Sequence, residues 1–546
     1  MVALSMADGY ARLTSNPQCV IVHTDIGTQG LGTAVRNASC GRVPVIIFAS
    51  SSPVTLEGEI FSSRSDHTHW LQDVPDQKQI VAQYCRYVAE IKRGLNIKQM
   101  VGRAFQLATS APQGPVYLCA SREVLAEHIE PYGLKHSMWQ GVQAGPLPDD
   151  AVKMTADALW KASHPLLITG YSGRNHKTVS EARGLAEVVP QLKVLDTVGS
   201  DVCFPAVHSA SLGLHYGEHP AITDADVIFI ADCDVPWITL RNSPKASCQV
   251  YHIDSDPLKR HMSLAYIPTD FCWRADTYLA FKQINEVLRK KIKTANTAEL
   301  QRMRNKRSAA HDVRASRRAY DALPQATGAI HTSYLIAELK RALPIDTIFV
   351  VEAVTLSTYT ASQIAPSIPG TWIESGGSIR GWSGGAASGV KLAAGPGRFV
   401  CQIVGDDSFM SSVPSSVYWI SRRYDIPILT VVLNNRGWNT PKHSLLSLYP
   451  DGEASKATDR ELGLSFDPQP DFGGIVKAAA GHNLFTKRVS NVEEGPKVLK
   501  ECIESVGNGH SAVLDAVLDV PMKRKKPETV ISEVDRQVTK KSCRIS

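Results

Sequence analysis

The feature that most restricts this chain is a series of short, uninterrupted apolar runs, rich in β-branched residues and separated by helix-length intervals. Residues 19–23, 44–48 and 114–118 form a first set. Residues 165–170, 192–195, 227–230 and 248–253 form a second, and residues 347–351, 399–404, 428–433 and 512–518 a third. A strand with one face in water alternates apolar and polar side chains, whereas a strand buried on both faces does not. The uninterrupted runs therefore predict α/β architecture, with parallel sheets covered by helices on both faces. A polar stretch over 132–150, holding Gly141, Gly145, Pro146 and Pro148, reads as a linker between the first two sets. A strongly charged stretch over 297–318 reads as a solvated connecting helix before the third. The expectation is three doubly wound parallel-sheet domains, over 1–130, 149–296 and 325–521, with a disordered basic tail over 522–546. At about 150 residues per domain, a chain of 546 residues accommodates that division.

Composition excludes several classes of partner. The net charge of +6 comes from 59 basic and 53 acidic residues, and part of it sits in Lys523-Arg524-Lys525-Lys526, so no broad nucleic-acid-binding face is expected. No apolar stretch approaches the ~18 residues of a membrane helix, so no membrane partner is expected either. Eleven cysteines without a CxxC pair fit a reducing, intracellular setting, with cytoplasm and mitochondrion undecided. There is no GxxxxGK[ST] loop. The one GxGxxA match, residues 507–512, precedes a strand where a dinucleotide turn would follow one. His67-Thr68-His69 lacks a third ligand and reads as surface.

The strongest chemical signal lies in the third set. The run 399–404 leads into Gly405-Asp406-Asp407-Ser408, a helical segment over 411–423 follows, and the run 428–433 leads into Asn434-Asn435-Arg436-Gly437-Trp438. Alone, Asp406 reads as a helix cap and Asn434-Asn435 as a loop. Together, 26 residues separate Asp407 from Asn434, and this strand–helix–strand unit brings both to the carboxyl edge of one sheet, where open α/β sheets bind ligands. Asp406 offers an anionic oxygen, the Asn435 side chain a neutral one, and the Gly437 carbonyl a third. Three protein oxygens leave room in an octahedral Mg²⁺ shell for diphosphate oxygens and water. Gly405 allows close backbone approach, and Ser408 can donate to a phosphate.

GD-x-S followed at this distance by NN resembles the signature of the thiamine-diphosphate enzymes: acetolactate synthases, benzoylformate and pyruvate decarboxylases, and 2-hydroxyacyl-CoA lyases. The resemblance runs over most of the chain. Met6-Ala7-Asp8-Gly9-Tyr10-Ala11-Arg12 resembles the helix of the aminopyrimidine-binding domain, and Gly27-Thr28 stands where those enzymes carry a glycine loop facing the active site. Leu71-Gln72-Asp73 resembles their FQE segment, and residues 448–452 and 466–472 are most similar to an acetolactate-synthase-like subgroup. The resemblance implies thiamine diphosphate and Mg²⁺ as cofactors, held between the first domain of one subunit and the third of another. It thus implies a homodimer or homotetramer acting on a small 2-oxo acid, by decarboxylation or carboligation. FAD, which some acetolactate synthases hold in the central domain, stays open. Gly27 and Gln72 become candidate catalytic residues. Gly405, Asp406, Asp407, Ser408, Arg380, Gly381, Trp382, Asn435, Gly437 and Trp438 become candidate cofactor-binding residues, with Asp406, Asn435 and Gly437 on the metal.

Three departures from the family pattern stand out. The resemblance places a catalytic glutamate at or just before the first helix, and no equivalent occurs there; Glu57 and Glu59 belong to another loop. The expectation is a first domain incomplete at its N-terminus, the alternative being a cofactor-binding pseudoenzyme. Asp407 replaces a small residue beside the diphosphate, so it must turn away or pair with a cation. Where relatives place a bulky apolar residue, this chain has Arg380 or, one register earlier, Ile379, and Arg380 is free to pair with Asp407 or with a substrate carboxylate.

Overall fold

A computed structural model describes residues 1–264, 266–375, 380–481 and 484–519; the expected tail over 522–546, and Ile379, lie outside the described residues. Among the described residues, sixteen strands build three sheets, every strand pairing parallel. The first contains β1 Gln18–Val22, β2 Val45–Ser51, β3 Tyr87–Ile91 and β4 Val116–Ser121, in the order β1-β2-β4-β3. The central sheet contains β5 Pro165–Thr169, β6 Lys193–Asp196, β7 Ser211–Leu214, β8 Val227–Ala231, β9 Gln249–Asp254 and β10 Phe271–Arg274, in the order β10-β9-β8-β5-β6-β7. The third contains β11 Ile348–Glu352, β12 Trp372–Glu374, β13 Val400–Gly405, β14 Leu429–Asn434, β15 Phe485–Val489 and β16 Ala512–Val517, in the order β12-β11-β13-β14-β16-β15.

The uninterrupted runs behave as two-faced burial requires. Every residue of β4, β5, β8, β11, β13, β14 and β16 is buried. The central order is that of a dinucleotide-binding sheet, whose crevice opens between β5 and β8. In the third sheet the order reverses between β11 and β13, so the corresponding crevice lies above Glu352 and Gly405.

The first and third domains of the chain meet through two helices, Val2–Thr14 and Ser383–Ala394. A methyl group on Gly389 would lie 1.9 Å from the Met6 carbonyl oxygen, and one on Gly9 would lie 2.2 Å from that of Ala386. Only glycine permits backbones this close. The buried face of the first helix is Leu4, Ser5, Ala7, Asp8, Gly9, Ala11 and Arg12, not the Val2–Met6–Tyr10 stripe its spacing suggests. The reason is polar: Asp8 and Arg12 form a fully buried ion pair at 2.6 Å. Arg12 also donates to the carbonyls of Glu374 and Ser375, which ties the helix to the end of β12.

The charged stretch forms a helix, Thr297–Asp321, but it is more than a solvated connector. Arg304 and Arg307 donate to the carbonyls of Glu187 (3.1 Å) and Ala186 (2.7 Å), in the last turn of helix His176–Val188. They satisfy acceptors that a helix end leaves without an internal partner.

Candidate active site

The predicted crossover forms, with one change. In place of a single helix over 411–423 there are two, Asp406–Ser411 and Pro414–Arg423, broken where Val413 takes a left-handed φ of 55°. β13 and β14 are neighbours in register, Gly405 opposite Leu433, so Asp406 and Asn435 leave adjacent strands at the same edge.

Asp406, Asn435 and Gly437 converge there. The Gly437 amide donates to Asp406 Oδ2 at 3.1 Å. With the Asn435 side-chain oxygen turned inward, it lies 3.2 and 3.3 Å from the two Asp406 carboxylate oxygens and 2.8 Å from the Gly437 carbonyl oxygen. Four acceptors this close repel one another unless a positive group joins them. The Asn435 amide supplies one when turned over, donating inward while its oxygen accepts from Asn439 Nδ2 at 2.9 Å. A cation is the other solution, since adjacent oxygens of an octahedral Mg²⁺ shell are about 3 Å apart. Burial pushes the Asp406 carboxyl up to about 7, and the neighbouring Asp407 charge adds to the rise. A bound cation would reverse that. Gly437 has no substitute: at φ 152°, a methyl group would fall 2.1 Å from the Leu464 carbonyl oxygen. Beside Asn435 opens a cavity of about 370 Å³, lined also by Arg436, Asn439 and Asp459.

Asp407 is paired. Its carboxylate meets Arg380 Nε at 2.6 Å and accepts the Ser408 amide at 2.7 Å. Ser408 is fully buried, and its hydroxyl donates to Asp407 at 3.4 Å. Gly405 has an ordinary φ of −68°, so the turn itself does not require glycine.

Above β11, Glu352 is a residue that motif reasoning passes over. It is buried, and its two carboxylate oxygens accept the Gly381 amide (2.7 Å) and the Ser383 amide (2.8 Å). Burial raises it to about 7, against those amides. Gly381 has φ 91°, and its Cα packs on the Ser411 carbonyl so closely that a methyl group would lie 2.4 Å away. Ser383 Oγ accepts from Gln402, whose own oxygen accepts from Thr430, extending the network across β13 and β14. Trp382 is turned away from this edge: it is 1% exposed, and the Arg12 guanidinium lies 4.9 Å above its ring. Trp438 packs edge-on against Phe466 at 4.8 Å.

In the first domain, Gly27 sits in a short helix, Ile26–Gln29, with Val22 and His23 as its neighbours. Gln72 ends helix Thr68–Leu71, and its carbonyl accepts from Ser52. The glutamine wired to the Gly27-Thr28 loop is Gln77. It is buried, takes the Asp25 amide at 2.8 Å, and donates to Tyr117 (2.8 Å) and the Ser50 carbonyl (2.9 Å). Thr28 shares the Tyr117 hydroxyl at 2.8 Å. Asp73 pairs with Arg64. Among the described residues, no three His, Cys, Asp or Glu side chains gather into a metal cluster, His67 and His69 included.

The crevice of the central sheet is arranged differently. The Tyr171 amide donates to the Asp232 carbonyl at 2.8 Å, directly across the gap between β5 and β8. Arg42, from the first domain, forks onto Asp254 (2.8 and 3.0 Å), reaches Asp234 (2.8 Å) and lies over the Tyr171 ring. Lys259 pairs with Asp234 and Asp254 as well. Burial alone would raise Asp254, but Arg42 and Lys259 overcome it and hold the carboxylate well below its usual range. The cavity left beside this cluster measures about 180 Å³, against roughly 300–1,000 Å³ for ordinary ligand pockets.

Comparison with known proteins places this geometry in a family. Residues 353–516 match the thiamine pyrophosphate enzyme C-terminal TPP binding domain, and residues 1–80 match the N-terminal TPP binding domain. The chain is 24% identical over 539 residues to acetolactate synthase isozyme 3 large subunit of Escherichia coli (strain K12), covering 95% of this chain and 86% of that protein. It is 23% identical over 567 residues to 2-hydroxyacyl-CoA lyase 2 of Caenorhabditis elegans, covering 95% and 82%. Its fold is shared by the thiamine diphosphate-dependent 4-hydroxybenzoylformate decarboxylase of Rhodococcus jostii RHA1, with a TM-score of 0.74 at 17% identity over 95% of this chain and 90% of that one. With three all-parallel sheets, and with both cofactor-domain signatures in the expected order, the chain belongs to the thiamine-diphosphate-dependent enzymes and is acetolactate-synthase-like in sequence.

Proposed function

We propose that Asp406, Asn435 and the Gly437 carbonyl hold Mg²⁺, that the metal anchors the diphosphate of thiamine diphosphate, and that the protein cleaves or joins carbon–carbon bonds of a small 2-oxo acid. The observation that carries this reading is the convergence, at the β13–β14 edge, of the Asn435 side-chain amide on both Asp406 carboxylate oxygens (3.2 and 3.3 Å) and on the Gly437 carbonyl oxygen (2.8 Å). When bound, thiamine diphosphate supplies an electron sink for the carbanion left by decarboxylation. The chain's own residues bind and orient. Asp406 gives the metal its anionic ligand, Gly437 brings backbone where no side chain fits, and Arg380 neutralises Asp407 beside the phosphate site.

The reading includes a second copy of the chain. Gly27 and Gln72 have their neighbours within their own domain, and the loops around them expose Ile26 (61%), Phe61 (79%), Trp70 (51%) and Leu71 (70%). Such an apolar surface suits the third domain of a partner subunit, giving a homodimer or homotetramer. FAD is not part of the reading, because the Tyr171 amide bridges to the Asp232 carbonyl across the central crevice and the cavity left beside Arg42, about 180 Å³, is small for a flavin dinucleotide.

The test is a panel of 2-oxo acids presented to the full chain with thiamine diphosphate and Mg²⁺, following CO₂ release and condensation products. Turnover of at least one acid, dependent on both cofactors, is expected. Turnover that survives Mg²⁺ chelation and dialysis against cofactor-free buffer would overturn the reading. So would a purified protein that carries stoichiometric flavin, for the flavin-free part.

A further inference from the structure

Among the described residues, the segment carrying Arg380, residues 380–382, lies in no strand or helix of its own before helix Ser383–Ala394 begins. What holds it is Glu352. Both carboxylate oxygens are spent on the backbone of that segment, one on the Gly381 amide and one on the Ser383 amide. Two amides two residues apart, gripped by one rigid group at the end of a fully buried strand, fix the segment's position and direction. The seating of Gly381 on the Ser411 carbonyl fixes its height above helix Asp406–Ser411. Arg380, next in the chain, is then aimed at Asp407, which it reaches at 2.6 Å with its side chain one-third exposed (33%).

Asp407 is the weak point of the edge. It stands one residue from Asp406 and would present a second carboxylate to an incoming diphosphate. At distances of a few ångströms in a partly buried setting, such repulsion is large unless a cation screens it. We propose that Glu352 is a positioning residue for the diphosphate end of the cofactor: by gripping the Gly381 and Ser383 amides it keeps Arg380 on Asp407, so that the edge meets the diphosphate with one free carboxylate and not two. This rests on the placement of the diphosphate at the Asp406 edge.

A purely structural role for Glu352 and this electrostatic one separate in a double-variant experiment. The readout is the dissociation constant for thiamine diphosphate at saturating Mg²⁺, measured on the full chain by tryptophan fluorescence at low and high salt. Glu352→Gln keeps size and burial, but it sets an amide N–H against one of the two backbone amides. It is expected to weaken binding on the order of tenfold at low salt, with the loss shrinking at high salt. In an Asp407→Gly background the same substitution is expected to cost less than about threefold, because no charge remains for Arg380 to cover. A loss that is equal in both backgrounds would overturn the proposal, as would unchanged affinity in Glu352→Gln. Should Glu352→Gln fail to fold, Arg380→Met puts the same question from the more exposed partner, and it should lose affinity only while Asp407 is present. Failure of the wild-type chain to bind thiamine diphosphate would strike the functional reading itself, before any variant is compared.

Discussion

The carboxyl edges of the central and third sheets start from the same architecture and end in opposite electrostatic states. Both sheets have six parallel strands with interior members buried on both faces. Both edges carry aspartates: Asp232, Asp234 and Asp254 on one, Asp406 and Asp407 on the other. On the central edge Asp234 and Asp254 are bound by Arg42 and Lys259, and the loops join across the crevice. On the third edge only Asp407 has a cationic partner among the described residues, while Asp406 accepts the Gly437 amide and lies against the Asn435 side-chain amide. An aspartate at a strand end therefore says little alone. What separates a ligand edge from a structural one is whether the protein has already supplied the counter-charge.

That contrast breaks most visibly at Arg42. Arg42→Ala leaves the buried Asp254 and the half-buried Asp234 with only Lys259, and removing one member of a buried pair costs about 3–5 kcal/mol. Thermal unfolding should therefore shift down by several degrees, with no gain of flavin binding. An unchanged Tm would mean that the central edge is not held by this cluster.

Glu374 sharpens the contrast in a second way. It accepts from Tyr216 in the central domain (2.9 Å) and from Ser357 in the third (2.7 Å), and its other oxygen is buried without a partner. Burial raises its carboxyl from the ordinary 4.5 to about 7. A raised carboxyl stabilises the fold fully below about pH 4.5, and that contribution is lost as the pH climbs through 7. The loss is on the order of 3 kcal/mol. Glu374→Gln should flatten the fall in stability across this window, read from denaturant unfolding at pH 5 and pH 8. A parallel pH dependence in variant and wild type would count against the buried proton.

The smallest effect is expected at Asp407. With Arg380 released, Asp407→Gly should tighten thiamine diphosphate binding at low salt, or leave it unchanged. A tenfold loss, about 1.4 kcal/mol, would make the carboxylate a direct participant.

The interior of the fold is far more legible in the sequence than its margins. Strands such as β13 and β14, buried on both faces, declare themselves as uninterrupted apolar runs. β3, β7, β10, β12 and β15 do not, and all five are edge strands. β15, Phe-Thr-Lys-Arg-Val, keeps charged side chains in water, and β12 has only three residues. The convergence of Asp406 with Asn435 and Gly437 was legible because its two halves follow interior strands with strong punctuation. The pairing of Arg380 with Asp407 was legible as one of two alternatives, because an unpaired carboxylate there is costly. Glu352 was not, since its partners are backbone amides 29 and 31 residues away that carry no side-chain signature. Gln77 was hidden by Gln72, five positions earlier in the segment that resembles the family motif; burial, not spacing, distinguishes them.

On the proposed function, the third edge lacks only a cation. Calorimetric titration of thiamine diphosphate into the full chain, with and without Mg²⁺, and into Asp406→Ala, tests it most directly. Saturable binding that requires Mg²⁺ and weakens by about 100-fold or more in the variant is expected. The variant's apo form should be no less stable than wild type near neutral pH, because burial already disfavours the Asp406 charge. Binding of equal strength without Mg²⁺, or in Asp406→Ala, would contradict it.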